Sequence, residues 1–397
     1  MLSRLRSSPT TATLVVALAM FTDSLVFSLL VPILPSYLDR LGATQAAVGL
    51  LFAIFAVALL LATPLMGMLC DRIGYRVPML VGLFGLGITT LSFAFLESYW
   101  ALLFVRAVQG VASAATATAG LALLAAAYPA EKRGQAIGLA MAGNAMGTLL
   151  GPPAGGLLFD WGGHQAPFLV AAGLALLDGV GRLVLITPPA TPRETQLSAR
   201  RILGIPAVME VLTLVVLGAC GLTLLEANLP LHLTTHLALP PLTIGLIFAV
   251  STIAFGVASP IVGALSDRWG RLRVSYLGLA LTAACLPLVV MQDSVALEFV
   301  TMAAVGIAVG IAITPTMPAL TEIIDKEGGA GAYGIPSSMF NMAWALGMIG
   351  GPVAGSALAQ SVGLKTALLV ISGLLMSFVI GKRLLARGIP ASRLPPT

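Results

Sequence analysis

Gly67-Met-Leu-Cys-Asp71-Arg72-Ile-Gly74-Tyr-Arg76 and Gly263-Ala-Leu-Ser-Asp267-Arg268-Trp-Gly270-Arg271-Leu-Arg273 are two copies of one charged, glycine-bearing motif in an otherwise apolar chain. Each copy follows an apolar stretch long enough to cross a bilayer and precedes another such stretch. Each is therefore read as a tight cationic turn between two spans, in the same place of two similar halves. A membrane protein built from such repeats has the organisation of a secondary transporter.

Composition points the same way. Apolar residues are 58% of the chain and charged residues 9%, against about 25% charged in a soluble domain. So few charges cannot cover a water-facing surface, so the solvent is mostly lipid. Residues 1–10, with Arg4 and Arg6, resemble the start of a signal peptide, but the following apolar run is too long and carries Asp23. It is read as the first span. Three widely spaced cysteines, Cys70, Cys220 and Cys285, imply neither disulfide framework nor metal site. His232 and His236 are read as surface groups, and no metal or cofactor is expected.

Hydropathy windows of about 20 residues place twelve spans near 12–38, 46–69, 78–96, 100–127, 135–158, 165–187, 207–236, 242–265, 273–292, 296–323, 331–359 and 364–385. Runs this long must be helices, because lipid offers no partner for unpaired backbone groups. The expected fold is all-α, with twelve transmembrane helices in two pseudo-symmetric six-helix halves. The halves are 1–187 and 207–397, joined by a polar linker, 188–206, with Pro188, Pro189, Pro192, Arg193, Glu194, Arg200 and Arg201.

Lysine and arginine crowd the face that carries both termini: Arg72, Arg76, Lys132, Arg133, Arg182, Arg268, Arg271, Arg273, Lys326, Lys382 and Arg383 are among them. The other face has only Arg40 and Lys365. This asymmetry places both termini in the cytoplasm. The net charge of +5 is thus a topology signal, with no nucleic-acid partner implied.

The fifth span carries Gly143, Gly147, Gly151, Pro152, Pro153, Gly155 and Gly156; the eleventh echoes it with Gly347, Gly351, Pro352 and Gly355. Glycines at this spacing let a neighbouring backbone approach closely, and proline bends a helix. The repetition suggests a shared part in helix bending and gating, beside plain close packing.

The paired Gly-x-x-x-Asp-Arg-x-Gly turns, the twelve spans and the central linker resemble the major facilitator superfamily over essentially the whole chain. Arg106-Ala-Val-Gln109-Gly110 and the Gly147–Gly156 run resemble two motifs of its drug/proton antiporters. Asp23-Ser-Leu-Val-Phe-Ser-Leu-Leu-Val-Pro32-Ile-Leu-Pro35-Ser-Tyr37, Ala166-Pro-Phe-Leu-Val, Leu177-Asp178-Gly179 and Leu225-Glu226-Ala-Asn-Leu-Pro230 are similar to vesicular monoamine and acetylcholine transporters. Loop charge and a short first external loop suit a prokaryotic relative in a bacterial inner membrane. Where that family carries a lysine in the second span and aspartates in the tenth and eleventh, this chain has Phe55, Ile313 and Asn341. Loss of the Lys–Asp pair together leaves no uncompensated charge.

Charges inside spans carry the chemistry. Asp23 lies midway along the first span, where a carboxylate costs at least about 2.5–3.5 kcal/mol and so faces the bundle interior. It can hold a proton, pair with a cation such as Arg106, or bind a cationic ligand. Proton and organic ammonium exclude one another there, which would couple their movements. Glu226, in the outer half of the seventh span, supplies a second carboxylate from the other half of the molecule. Arg106 keeps its proton and is read as an electrostatic partner of both. Phe21, Phe27, Phe52 and Phe55, with Phe340 and Trp344 flanking Asn341, are expected to line a cavity for flat or cationic ligands. Asp178 with Arg182 is expected to form an intrahelical or inter-half salt bridge at the inner mouth. Asp71 and Asp267 are expected to cap the next helix or bind arginines of their own repeat, with Arg72, Arg76 and Arg268 in the same gate.

The leading expectation is a monomeric, proton-coupled exporter of organic cations, amines or amphiphilic drugs. A proton symporter of a small metabolite and a receptor or lipid-handling protein on the same fold stand as alternatives. Catalytic constellations and nucleotide-binding loops are absent from the sequence, so neither an enzyme nor ATP coupling is expected.

Overall fold

The computed structural model describes residues 9–33, 41–128, 130–185, 202–326 and 334–388. Most of the linker, Arg40 and the terminal segments with Arg4 and Arg6 lie outside them, as do the side chains of Asp71, Lys132 and Arg133. The elements are α1 (Pro9–Leu29), α2 (Gln45–Ile73), α3 (Arg76–Phe93), α4 (Tyr99–Ala127), α5 (Ala130–Gly162), α6 (Gln165–Leu185), α7 (Pro206–Leu237), α8 (Pro241–Trp269), α9 (Arg271–Cys285), α10 (Val295–Ile313), α11 (Thr316–Ile324), α12 (Gly334–Val362) and α13 (Leu364–Gly388). They make twelve helical spans, α10 and α11 together forming the tenth. The fold is that of an all-α membrane protein.

Local chemistry sets the boundaries. Thr44 caps α2 by accepting from the Ala47 backbone N–H at 3.3 Å. The second glycine of each repeated motif ends its helix with positive φ, Gly74 at 80° after α2 and Gly270 at 91° after α8. Only a residue without Cβ takes that turn freely. The regular helix of the first span ends at Leu29, because Pro32 has no N–H to donate and disfavours helix at the residue before it, while the expected continuation to residue 38 lies outside the described residues. The chain there turns by short bonds, Val31 N–H to the Ser28 carbonyl and Ile33 N–H to the Leu30 carbonyl. Pro315 separates α10 from α11 for the same reason, and a 3₁₀ turn, Leu286–Val290, extends α9.

Among the described residues ten spans are long and apolar enough to cross a membrane by length and composition alone. The fifth falls short of that measure. The fifth tolerates its glycines and Asn144 because it is wedged between α1 and α8. Bulky apolar side chains such as Leu61, Val257 and Leu374 stand about two-thirds exposed, the outward face a bilayer would cover.

Packing repeats between the halves. α1 lies chiefly on α5, and α7 chiefly on α12. A methyl at Gly147 would overlap the Phe21 carbonyl, and one at Gly351 the Cys220 carbonyl. The glycine runs therefore work as close-packing seams; α5 passes through Pro152 and Pro153 as one continuous helix. Between halves, α2 packs on α12 and α5 on α8.

We term the face where α1 begins proximal and the opposite face distal. At the distal ends a methyl on Gly49 would strike Pro352 and Ser356, and one on Gly245 would strike Pro152. Toward the proximal face Gly67, Gly138 and Gly263 have open space around them. Among the described residues the halves meet at the distal ends, and these three proximal glycines face open space.

Candidate functional site

Asp23 projects from the middle of α1 between α4 and α6. Its Oδ2 accepts a hydrogen bond from the Ser113 hydroxyl of α4 at 2.6 Å. Its Oδ1 is buried and has no protein donor among the described residues. Ser113 stands two turns after Arg106 on α4, so both side chains share one face.

Arg106 is fully buried. Its guanidinium carbon sits 5.0, 5.7 and 4.7 Å from the ring centres of Phe27, Phe52 and Phe55. The three rings form a cage; Phe27 meets Phe52 edge-on at 6.2 Å and Phe55 at a tilt at 5.0 Å. Arg106 Nη1 donates to the Gln109 side chain at 2.5 Å, and Gln109 in turn donates to Thr90 at 3.2 Å. Among the described residues Arg106 forms no ion pair, yet it lies within electrostatic reach of both Asp23 and Glu226. The Asp23–Arg106 pair, one of the options open to Asp23, is thus not formed, and the cation is held on aromatic faces instead.

Glu226 enters the same region from α7. One of its carboxylate oxygens is buried without a protein donor among the described residues. Two carboxylates from opposite halves therefore lie within electrostatic reach of one buried guanidinium.

Other expected residues fall elsewhere. Phe52 and Phe55 do not line an open cavity; they are buried, turned inward onto Arg106. Phe340 and Trp344 stack on each other at 6.1 Å and are half-buried against the core around α7, while Asn341 between them is exposed. Asp178 and Arg182 close an intrahelical salt bridge of 2.5 Å with both side chains buried. α6 packs on α3, α1 and α5, all within its own half, so the inter-half version of that bridge is not formed here. Asp267 does not cap α9; it pairs with Arg271 at 3.3 Å. Arg271 also reaches Glu322 at 2.9 Å and the Pro318 carbonyl at 2.7 Å, fastening the turn to α11. Arg72 and Arg268 are exposed and Arg76 is half-buried. Gly151 packs on Ser28 of α1, while the backbone of Pro152 and Pro153 lies against Gly245 of α8.

Sequence reasoning missed several polar groups. Ser113 and Thr90 look like ordinary small residues of apolar helices. Asn228, fully buried, accepts from Gln45 of α2 and from Ser356 of α12, each at 3.0 Å. It ties both halves at the distal end, and its signal was available as an amide beside Glu226. Glu298, buried in the first turn of α10, and Glu210, which accepts from the Tyr276 hydroxyl and faces Lys382 at 3.6 Å, were also passed over.

Comparison with known proteins follows from this geometry. The family model of the Major Facilitator Superfamily matches twice, over residues 16–223 and 211–396. The synaptic vesicular amine transporter of Mus musculus is 33% identical over 347 residues, 86% of this chain and 66% of that protein. The chain thus spans about two-thirds of the length of that relative. The vesicular acetylcholine transporter of Tetronarce californica is 37% identical over 218 residues, 46% of this chain and 42% of that protein. Among solved structures, a bacterial homolog of the human lysosomal transporter Spinster, inward-facing and unoccupied, aligns with a TM-score of 0.83. It covers 98% of this chain and 99% of its own at 14% identity, a likeness of fold.

Proposed function

Since the chain belongs to the major facilitator superfamily, and is a multi-pass membrane transporter rather than an enzyme, we propose that it exports organic cations, amines or amphiphilic drugs in exchange for protons. The observation that carries this reading is Asp23, a carboxylate half-buried in the first span that, among the described residues, has one donor, Ser113, and no cationic partner in contact. Such a group holds either a proton or a cation, and that exclusive choice couples the two flows. Glu226 on the opposite half supplies the second charge that draws a cation to the middle of the bundle. The amine relatives support the substrate class. In this reading the two halves rock about the site while the linker 188–206 joins them, and the turns at Asp71 and Asp267 bias the equilibrium. The lysine–arginine asymmetry supports a bacterial inner membrane with cytoplasmic termini, so the proximal opening faces inward.

Asp23→Asn tests it. The amide cannot exchange a proton, so proton-driven uptake of cations into everted vesicles should disappear while helix content and melting temperature stay near wild type. Coupled transport at the wild-type rate by this variant would remove Asp23 from the mechanism.

A further inference from the structure

We propose that the distal end of α7 carries a transition-metal site, built from His232 and His236 and taking a divalent ion of the Zn²⁺, Cu²⁺ or Ni²⁺ class. It stands apart from the charges of the transport reading, and its test needs no transport. In the sequence these histidines look like two separate surface groups. In the structure they stand four residues apart on one helix and so share a face. Their ring centres lie 4.3 Å apart, with the planes inclined at 50°. A zinc-like ion holds each ligating nitrogen at about 2.0–2.1 Å. Rings this close reach one such ion by turning about their side-chain bonds, with the helix backbone left as it is.

Both rings are available for this. Among the described residues neither imidazole enters a hydrogen bond or an ion pair. His232 is half-buried beside the fully buried Leu229 and Leu233, so its rotamers are already restricted and it loses little freedom on binding. His236 is exposed, which leaves a path from the distal solution. The neutral imidazole is the form that ligates.

The donor set selects the ion. No carboxylate or thiolate joins the pair among the described residues. Calcium and magnesium take oxygen ligands, whereas imidazole nitrogen suits zinc, copper and nickel. The remaining positions of the ion stay with water, an open site in the sense of coordination chemistry. The helix end adds to the attraction. α7 finishes at Leu237, followed by Ala238 in the left-handed conformation, and the carbonyls of a last helical turn favour positive charge.

An ion there would act on the end of α7. Pro230 lies inside the helix and has no N–H, so the Glu226 carbonyl lacks its helical donor. The turns beyond, residues 231–237, are joined to the rest of α7 by one bond fewer. An ion bridging His232 to His236 spans that segment and stiffens it.

The test uses the purified full chain with no added histidines and Zn²⁺ as the probe, read by competition with a colorimetric zinc indicator. One ion should bind per chain in the micromolar range. His232→Ala and His236→Ala should each weaken it about tenfold or more, because two ligands on one turn raise each other's effective concentration. His164→Ala removes the third histidine of the chain and should leave binding unchanged. Mg²⁺ and Ca²⁺ at equal concentration should not displace Zn²⁺. Cu²⁺ as a second probe should give an electron paramagnetic resonance spectrum split by two imidazole nitrogens, reduced to one in either variant. Amide hydrogen exchange over residues 231–237 should slow with Zn²⁺ in the wild type and not in the variants. Absence of saturable binding, full affinity in either variant, loss on His164→Ala, or a copper spectrum without two nitrogens would overturn the site. Zn²⁺ binding with exchange unslowed would overturn the stiffening.

Discussion

At the scale of single residues, what distinguishes this site is how little its charges touch. Among the described residues Asp23 has one hydroxyl donor, Glu226 has a bare buried oxygen, and Arg106 rests on rings. A carboxylate committed to a salt bridge could not be vacated by a proton; one held by a single hydroxyl can. Glu226→Gln keeps shape and removes charge, so it should weaken a monovalent cation by on the order of tenfold or more, through lost attraction in a partly dehydrated site. A neutral isostere of that cation should lose little. Equilibrium binding of both ligands to the purified variant checks this, and equal losses would make Glu226 a structural group. Lower pH should weaken cation binding to wild type as well, because protons fill the same carboxylates, and cation binding should release protons in return. Affinity flat between about pH 5 and 8 would separate the two sites. Asp23, Glu226 and Arg106 were legible in the sequence because an ionisable group inside an apolar run is conspicuous by its cost. Ser113 and the inward turn of Phe52 and Phe55 were not, since hydroxyls and rings are ordinary in such helices. Which way they point depends on packing between helices far apart in sequence.

At the scale of elements, α2 and α8 each carry small residues at both ends of one face. Gly67 follows Gly49 by eighteen residues and Gly263 follows Gly245 by eighteen, five whole turns of 3.6. The distal members are crowded by Pro352 and Pro152 of the opposite half; the proximal members are open. The same face thus offers a second flat contact for the state in which the proximal ends close. Gly49→Val and Gly245→Val should destabilise the present distal closure by about 1–3 kcal/mol each through overpacking. Gly67→Val and Gly263→Val should leave this state intact and hinder the opposite one. Distances between spin labels on α2 and α12, measured at both ends, distinguish the pairs; identical distance shifts from all four would refute the division. The helices and their repeat could be read from hydropathy and the doubled motif. The breaks were harder: the stop at Leu29 and the gap at Pro315 come from single prolines inside runs that stay apolar beyond them, and apolarity alone does not register a missing N–H.

At the scale of the whole molecule, the distal closure between the two halves is sealed by polar groups as well as by backbone contact. Asn228 of α7 accepts from Gln45 of α2 and Ser356 of α12 at 3.0 Å each. Its own amide donates to the Leu224 carbonyl at 2.8 Å. Gln360 of α12 accepts from the Ala46 backbone N–H at 3.1 Å, so the N-terminal turn of α2 is bound to the other half at two points. Opening the distal face must separate Gln45 from Asn228 and Ala46 from Gln360, while Ser356 and Asn228, both in the second half, can stay together. Asn228→Ala removes the acceptor for Gln45 and leaves the buried Ser356 hydroxyl without its side-chain partner. Each lost bond contributes about 0.5–1.5 kcal/mol, so the Gln45 contact alone should shift the balance toward the distally open form by roughly 2- to 12-fold. Gln45→Ala should reproduce most of that shift, because it breaks only the bond that spans the halves. Ser356→Ala should reproduce little of it, since its bond lies within one half. Spin-label distances across the distal ends, taken without cargo and at fixed pH, read these populations directly. Ser356→Ala opening the distal face as far as Gln45→Ala would show that Asn228 acts by packing its own half and not as a latch between the two.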